Sequence, residues 1–309
     1  MAAKIKIKVV GVGGSGGNAI DRMMKARLFG VDLIAINTDF QDLQKKKAGL
    51  KIRIGKKLTK GLGAGMNPKI GEKAAQEQKE EIAKVLIGSD IVFITTGLGG
   101  GTGSGAASVI ARLAKSSGSL TIGVVTTPFS FEGQARAKIA KIALEKLKKE
   151  VDCLIIIPND NLFSFLDTST PLLKAFWVCD EILHEAVKGI SNLILLPGIV
   201  NVDFADVRSV MKDSGRAFFG IGRATGESRA QEAARSALHS PLLNVSISEA
   251  KGILFNISGG PDISLYEIDE AAKVITKTAG PETKVIFGAI QDEKLKKGEM
   301  KVTVIATGF

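Results

Sequence analysis

The residues of this sequence with the clearest chemistry in them are glycines. Thr95-Thr96-Gly97-Leu98-Gly99-Gly100-Gly101-Thr102-Gly103-Ser104-Gly105-Ala106-Ala107 follows the apolar run Ile91-Val92-Phe93-Ile94 and leads into helical spacing from Ser108 to Lys115. Glycine is costly to order, so a strand-loop-helix turn made of it needs a reason. Without Cβ atoms, successive backbone N–H groups converge on an anion, and the positive end of the next helix dipole points at the same place. A polyphosphate is the natural guest. A flexible Gly/Ser linker would lie between domains, with no buried strand before it and no helix after it.

A second such turn lies near the start of the chain. Gly11-Val12-Gly13-Gly14-Ser15-Gly16-Gly17-Asn18 follows an alternating strand, Lys4 to Val10, and turns into a helix, Ala19 to Arg27. Gly11, Gly13 and Gly16 have the Gly-x-Gly-x-x-Gly spacing of dinucleotide-binding turns, a weak signal alone that leaves a nicotinamide cofactor open beside other phosphate ligands. Neither loop is a Walker P-loop, because no Gly-x-x-x-x-Gly-Lys-Ser/Thr occurs. Without that lysine, charge neutralisation falls to N–H groups, a helix terminus and Mg²⁺.

The elements that position these loops follow from the pattern. Strands near residues 4, 32, 90, 120 and 152 alternate with helices, which predicts a parallel sheet wrapped by helices, with ligands beyond the carboxyl ends of its strands. Polar clusters fall at those ends: Asn37-Thr38-Asp39, Pro128-Phe129-Ser130-Phe131-Glu132-Gly133 and Pro158-Asn159-Asp160. Arg136, in the first turn of a basic helix from Gln134 to Lys149, opposes the helix dipole; it faces a negative guest or is a plain surface arginine. Further helices are read from Pro68 to Leu86 and from Leu172 to Leu196, the latter apolar on most of its surface. On it, Asp180 is a carboxylate that needs a partner, and the N–H groups of a base such as guanine would suit it.

Pro197-Gly198 marks the expected boundary, which gives a binding domain at 1–171, a connecting helix at 172–196 and a C-terminal domain at 197–309. Asn201-Val202-Asp203-Phe204-Ala205-Asp206 leads into a helix from Val207 to Lys212. Asp203 and Asp206 share a face there, and composition alone favours an N-cap with a first-turn acid. Strands at 217–223, 252–258, 285–291 and 301–307, with helices at 228–238 and 263–276, make a second, smaller α/β layer. Its last two strands are expected to pair across Lys297-Gly298.

Composition bounds the rest. The chain has 309 residues, 45% of them hydrophobic, which allows two substantial cores and excludes a mainly disordered protein. No apolar run reaches the length of a membrane span and the N-terminus lacks a signal-peptide core, so a cytosolic protein is expected. The net charge of +10 is spread over amphipathic helices and runs such as Lys45-Lys46-Lys47, and only 5% of residues are aromatic; it reads as a solvated face, with no specific nucleic acid. Cys153 and Cys179 lack metal-ligand spacing and read as buried thiols, and His184 and His239 as structural or surface residues.

Together the motifs resemble the tubulin/FtsZ family, and its bacterial division branch most closely. The resemblance rests on Gly99-Gly100-Gly101-Thr102-Gly103, Asn37-Thr38-Asp39, Leu58-Thr59-Lys60-Gly61-Leu62-Gly63-Ala64-Gly65, Pro128 to Gly133, Pro158 to Asp160, Asn201 to Val207 and the closing Val302 to Phe309. It covers about Ile5 to Phe309 in unbroken order. It implies a Rossmann-like parallel-sheet GTPase domain, a long central helix, and a smaller α/β C-terminal domain with a mixed sheet. It further implies GTP/GDP and Mg²⁺ as ligands, head-to-tail homopolymers and a mid-cell division ring.

By position, the resemblance assigns the phosphates to Gly13, Gly14, Ser15, Gly16, Gly17 and Asn18 and to Gly97, Gly99, Gly100, Gly101, Thr102 and Gly103. It puts Glu132 and Arg136 by the ribose and phosphates and Asn159, Phe176 and Asp180 around the guanine; Asn37, at its strand end, stands where a nucleotide's ribose or base would lie. It also changes the reading of Asn201, Asp203 and Asp206, which in the family complete the site of the next subunit. No protein metal ligand is assigned.

Ser15 and Gly17 stand where glycine and asparagine are common, Thr127 where a basic residue is frequent, and Trp177 and Cys179 are unusual beside the base. Family members usually continue through a linker to a peptide that binds membrane tethers. The sequence stops at Phe309, whether the tail is truncated or lacking, so recruitment by that route is not expected of it as it stands; division-ring proteins are left open as partners. A polymer-forming relative serving plasmid segregation or cell shape is the alternative role.

Overall fold

Strands buried on both faces set the architecture of the first part of the chain. Val9, Val10, Ile34, Ile36, Val92, Phe93, Ile94, Val124 and Ile155 are all buried, as a parallel sheet covered by helices on both faces requires. The computed structural model describes residues 5–28, 30–167, 169–196, 198–243 and 245–309. Lys4 of the first expected strand and Pro197 of the expected boundary lie outside them. The described chain forms two compact units, 1–188 and 189–309, and the division falls within the helix expected to connect the domains.

In the first unit, β1 (Ile7–Val12), β2 (Val31–Asn37), β3 (Leu50–Arg53), β4 (Ile91–Gly97), β5 (Leu120–Thr127) and β6 (Cys153–Pro158) lie in the order β3-β2-β1-β4-β5-β6. Every neighbouring pair is parallel. The chain builds outward from β1 on one side and from β4 on the other, so the switch point lies between β1 and β4, where the two glycine stretches begin. The helices are α1 (Gly13–Ala26), α2 (Phe40–Lys45), α3 (Pro68–Glu77), α4 (Lys79–Leu86), α5 (Thr102–Ser116), α6 (Gln134–Lys148) and α7 (Leu172–Leu195).

Several expectations are corrected. The helix read over 68–86 is two, α3 and α4, broken at Gln78. α2 was not expected at all; it is a six-residue helix capped by Asp39, whose carboxylate accepts from the Asp42 amide. α1 and α5 begin at Gly13 and Thr102, six residues before the expected starts, because glycine lets them pack where a side chain would not fit. A Cβ on Gly105 would lie 2.0 Å from the Pro68 carbonyl oxygen, and one on Gly71 2.4 Å from that of Gly101. Close packing of α3 on α5 thus overrides glycine's poor helix propensity. On α7, Leu173 is 85% exposed and Trp177 40%, whereas Leu183, Ala186, Val187 and Ile190 are buried; the expectation of burial over most of the helix fails in its first two turns.

The second unit contains α8 (Phe204–Met211), β7 (Gly215–Thr225), α9 (Arg229–Leu238), β8 (Gly252–Gly259), α10 (Leu265–Thr278), β9 (Lys284–Gln291) and β10 (Glu299–Thr307). The sheet order is β7-β10-β8-β9, with β10 antiparallel to both its neighbours and β8 parallel to β9. The mixed sheet is as expected, but the last two strands do not pair. β10 is buried along almost its whole length and takes a central place, while β9, exposed at Lys284 and Gln291, takes the edge. The Arg229 guanidinium, 4% exposed, holds Asp262 at 3.1 Å and Glu267 at 2.5 Å, and so ties the starts of α9 and α10 together.

The α3–α5 contact gives a direct test. Gly105→Ala pushes a methyl into the Pro68 carbonyl and should destabilise the protein by about 2 kcal/mol or more. Thermal unfolding should show Tm lowered by roughly 5 °C; an unchanged Tm would refute the contact.

Candidate functional site

The carboxyl edge of the first sheet gathers most of the chemistry-bearing residues. At the switch point the chain turns from β1 into α1 within one residue, Gly13, whose φ is +73°. The α1 N-cap position is Val12 and the α5 N-cap position is Gly101, and neither start has a side-chain cap. Two helix N-termini with free N–H groups therefore meet here, and a Cβ on Gly13 would sit 3.0 Å from the Gly103 amide nitrogen. Glycine at both places is what allows the approach. Gly100 is open, with nothing within 4 Å of a would-be Cβ.

Hydroxyls knit the two stretches together. The Gly97 amide donates to Ser15 Oγ at 2.6 Å, Gly99 donates to Ser104 Oγ at 2.9 Å, and the Thr38 and Thr102 hydroxyls share a hydrogen bond of 2.6 Å. Ser15, a departure from the family pattern, thus links α1 to the end of β4. Gly14, Gly16 and Gly17 lie in the first turns of α1. A Cβ on Gly16 would lie 2.5 Å from the Thr95 carbonyl oxygen, so α1 is seated against β4 by backbone contact.

Around this centre the other expected residues divide into two kinds. Asn37 is buried, and its amide is committed to the protein: Oδ1 accepts from Thr38 and Asp39, and Nδ2 donates to Asp42 at 2.9 Å. It shapes the turn. Glu132 accepts from the Phe129 amide at 2.9 Å and pairs with Arg136 at 3.2 Å, while Gly99 lies against the Arg136 backbone. Arg136 is therefore partnered by a carboxylate four residues back. Asn159 is different. It is 6% exposed and its Oδ1 has no hydrogen-bond partner, as is also true of Thr95 Oγ1. A buried acceptor left unmet costs about 1–3 kcal/mol, and a ligand donor would repair it.

The first turns of α7 bring an aromatic and a carboxylate to the same unit. Phe176 meets Phe129 edge-on at 5.7 Å, which ties the helix to the β5 loop. Asp180 is half-buried, and burial pushes its carboxyl up to about 7; Arg22 and Lys46 pull it down, and Asp21 pushes it further up. The Arg22 guanidinium stands 4.8 Å over the Trp177 ring. Burial, then the Asp180 charge, raises the Cys179 thiol to about 12, so it is inert. Further along α7, Glu181, His184 and Glu185 bring ligand atoms within 4.8 Å of one another, but each is engaged in contacts of its own.

Sequence reasoning missed Lys46, Asp42 and Arg22. The triple-lysine run was read as a solvated face, yet Lys46 is 7% exposed, paired to Asp42 at 2.8 Å and bonded to Asn18 at 2.5 Å. The i, i+4 spacing of Asp42 and Lys46 was the available signal, legible only once α2 was known to be a helix.

Asn201, Asp203 and Asp206 lie in the second unit, all exposed. Asn201 Oδ1 accepts from the Gly198 amide at 2.7 Å. Asp203 occupies the N-cap position of α8, yet its carboxylate accepts no capping bond. The capping role that composition favoured is thus not taken up.

Residues 6–167 match the GTPase domain of the tubulin/FtsZ family and residues 215–309 the C-terminal domain of the FtsZ family. The chain belongs to the tubulin/FtsZ family. Among solved structures it is similar to an FtsZ dimer from M. jannaschii described as empty, at 49% identity and TM-score 0.95, over 99% of this chain and 89% of that one. A point mutant of FtsZ from the same organism matches with TM-score 0.95 and 49% identity over 99% and 91% of the two chains. CetZ2 from Haloferax volcanii, in a GTPγS-bound protofilament, shares the fold at TM-score 0.80 and 23% identity, over 98% and 92%. The M. jannaschii relatives are archaeal, so the comparisons carry FtsZ membership but not the bacterial branch expected from the motifs. As a member of this family the protein is a GTPase of filament-forming type, and GTP or GDP is the ligand expected at its GTPase domain.

Asp180 makes a prediction about this FtsZ-family domain. Its folded value lies above the ordinary one, so charging it opposes folding; that penalty is absent below about pH 4, grows toward pH 7 and is full above it. Nucleotide-free Asp180→Asn should therefore melt at a higher temperature than the parent at pH 8, with the difference closing as pH falls toward 4. Equal melting temperatures at pH 8 would show that the carboxylate is not held at a cost.

Proposed function

We propose that this protein binds GTP at the carboxyl edge of its first sheet and polymerises head-to-tail into filaments of a cytoplasmic, mid-cell division ring. Turnover then requires Asn201, Asp203 and Asp206 of the adjacent subunit. The phosphates lie against Gly13, Gly14, Ser15, Gly16, Gly17 and Asn18 on one side and Gly97, Gly99, Gly100, Gly101, Thr102 and Gly103 on the other; the N–H groups of the α1 and α5 starts receive them, while the Gly97 and Gly99 amides, donating to Ser15 and Ser104, hold the loop in shape. Glu132 and Arg136 lie by the ribose and phosphates, and Asn159, Phe176 and Asp180 frame the guanine. A guanine N1–H and amino group would meet an ionised Asp180, and a base donor would satisfy Asn159 Oδ1.

The observation that carries this reading is the pair of helix starts brought into contact by glycines, neither of which has a side-chain cap. Mg²⁺ fits the same place as a companion of the phosphates. It keeps several waters and needs few protein oxygens, and the Thr102 hydroxyl at the α5 start, held by the buried Thr38 hydroxyl, is the oxygen that would hold it. There it would neutralise charge on the phosphate oxygens. Phosphoryl transfer depends mainly on positioning and charge stabilisation, so a site can bind GTP and stay idle until a neighbour supplies its last groups. Asp203 suits that role because its exposed carboxylate is not spent on capping α8, and with Asp206 it would position the attacking water.

Phosphate release with GTP and Mg²⁺, followed against protein concentration with light scattering in parallel, tests the proposal. Specific activity should rise from near zero at the concentration where scattering begins, and Asp203→Ala should bind GTP with unchanged affinity while losing at least 100-fold in turnover, on the order of a lost positioning group. Constant activity per molecule down to high dilution, or loss of GTP binding in folded Asp203→Ala, would overturn the shared site. In cells, a tagged copy should form mid-cell rings; DNA-associated or dispersed filaments would replace division by another role.

A further inference from the structure

A lysine with no solvent to hold its charge needs a reason to be where it is. Lys45 and Lys47 are exposed, and Lys46 between them is buried. Its stem lies flat along the start of α1: a Cβ on Gly17 would fall 2.8 Å from Lys46 Cε, 3.2 Å from Cδ and 3.3 Å from Cγ. Gly17 therefore makes the room. The ammonium is paired with Asp42 Oδ1 at 2.8 Å, and the other Asp42 oxygen accepts from Asn37 Nδ2 at 2.9 Å. A buried ammonium needs such a partner. Its further bond is to the side chain of Asn18, at 2.5 Å.

That last bond has a chemical consequence. An ammonium only donates, so the atom of Asn18 that it meets is the carbonyl oxygen. The amide direction is thereby set, and Nδ2 is left to donate elsewhere; among the described residues it has no protein acceptor, and Asn18 is exposed. We propose that Lys46 is a positioning residue which, held by Asp42 and seated on Gly17, fixes the Asn18 amide so that Asn18 presents an N–H donor to an acceptor atom of the bound guanine nucleoside. The inference rests on the reading of this edge as the GTP site. The charge of Lys46 is also felt by Asp180, alongside those of Arg22 and Asp21.

The test is GTP binding by titration calorimetry on the full chain, with circular dichroism melts to confirm folding. Lys46→Met should weaken binding about tenfold, equivalent to about 1.4 kcal/mol, and Lys46→Arg should recover most of it. At a fixed protein concentration above assembly, Lys46→Met should raise KM about tenfold and alter kcat less than twofold. Because the lysine acts through Asn18, Lys46→Met should cost nothing further in an Asn18→Ala background. Asn18→Asp, which keeps the lysine contact and removes the donor, should bind as weakly as Asn18→Ala.

Unchanged affinity in Lys46→Met would overturn the proposal. So would a full loss persisting in the Asn18→Ala background, which would make the lysine a direct ligand, or parental affinity in Asn18→Asp. Absence of GTP binding by the parent protein would instead overturn the site reading itself, so the two failures are separable.

Discussion

The nucleotide-binding unit depends on one electrostatic constraint: two helix N-termini held side by side, neither with a side-chain cap. Each start has backbone N–H groups with no intrahelical acceptor and carries about half a positive charge, so bringing α1 and α5 together is unfavourable until a negative group arrives. Only the sheet can impose it. β1 and β4 are neighbours and parallel, so their carboxyl ends and the helices that follow must begin at the same level. Only glycine can allow it, since Gly13, Gly16 and Gly103 each lie within 3.0 Å or less of foreign atoms at the position a Cβ would take. The fold and the binding chemistry are the same fact seen at two scales.

Other unmet demands collect at this edge. Asn159 Oδ1 is buried without a donor, and the Asp180 carboxyl is pushed up to about 7 by burial. In a free-standing domain each would be a defect, and a well-packed interior has to offset them. The core around Val10, Ile34, Ile94, Ala106 and Ile110 supplies that, and the same residues fix the strand ends from which the loops spring. Strain of this kind persists at a site because the surroundings over-determine it. Preorganisation lowers the ordering cost of binding, and the cost is already present in the empty protein.

The alternation of buried strands and helices was legible because the period of apolar residues reports it directly, and the carboxyl edge followed from parallel-sheet topology. Helix starts were not. Gly13 to Gly17 and Thr102 to Gly105 are rich in glycine, a poor helix former, and they are helical where α3, β1 and β4 pack closely against them. That is tertiary packing overriding local preference. The placement of β10 between β7 and β8 was equally invisible, since a hairpin across Lys297-Gly298 looks natural locally while the full burial of β10 demands a central position. Among site residues, glycines and Asp180 stand out in the sequence as types in the wrong place. Lys46 does not, because in a row of three lysines nothing marks the one whose stem lies on Gly17.

The second unit bears on why binding and turnover can be separate properties of one chain. Its interior is independent, with a core of Ile253, Phe255, Ile257, Ala233 and Val304, and a buried arginine fork at Arg229 locking two helix starts. In that unit, Asn201 Oδ1 closes the turn at Gly198, while Asp203, at the N-cap position of α8, makes no capping bond with its carboxylate. A cap usually contributes about 1 kcal/mol to a helix, so leaving it unmade has to be offset by something other than stability. In the proposed filament, that something is water positioning in a neighbour's site. A catalytic carboxylate held close beside triphosphate within one subunit would repel the ligand during binding; supplied from another molecule, it arrives only after the nucleotide has been bound and its charge met by the two helix starts.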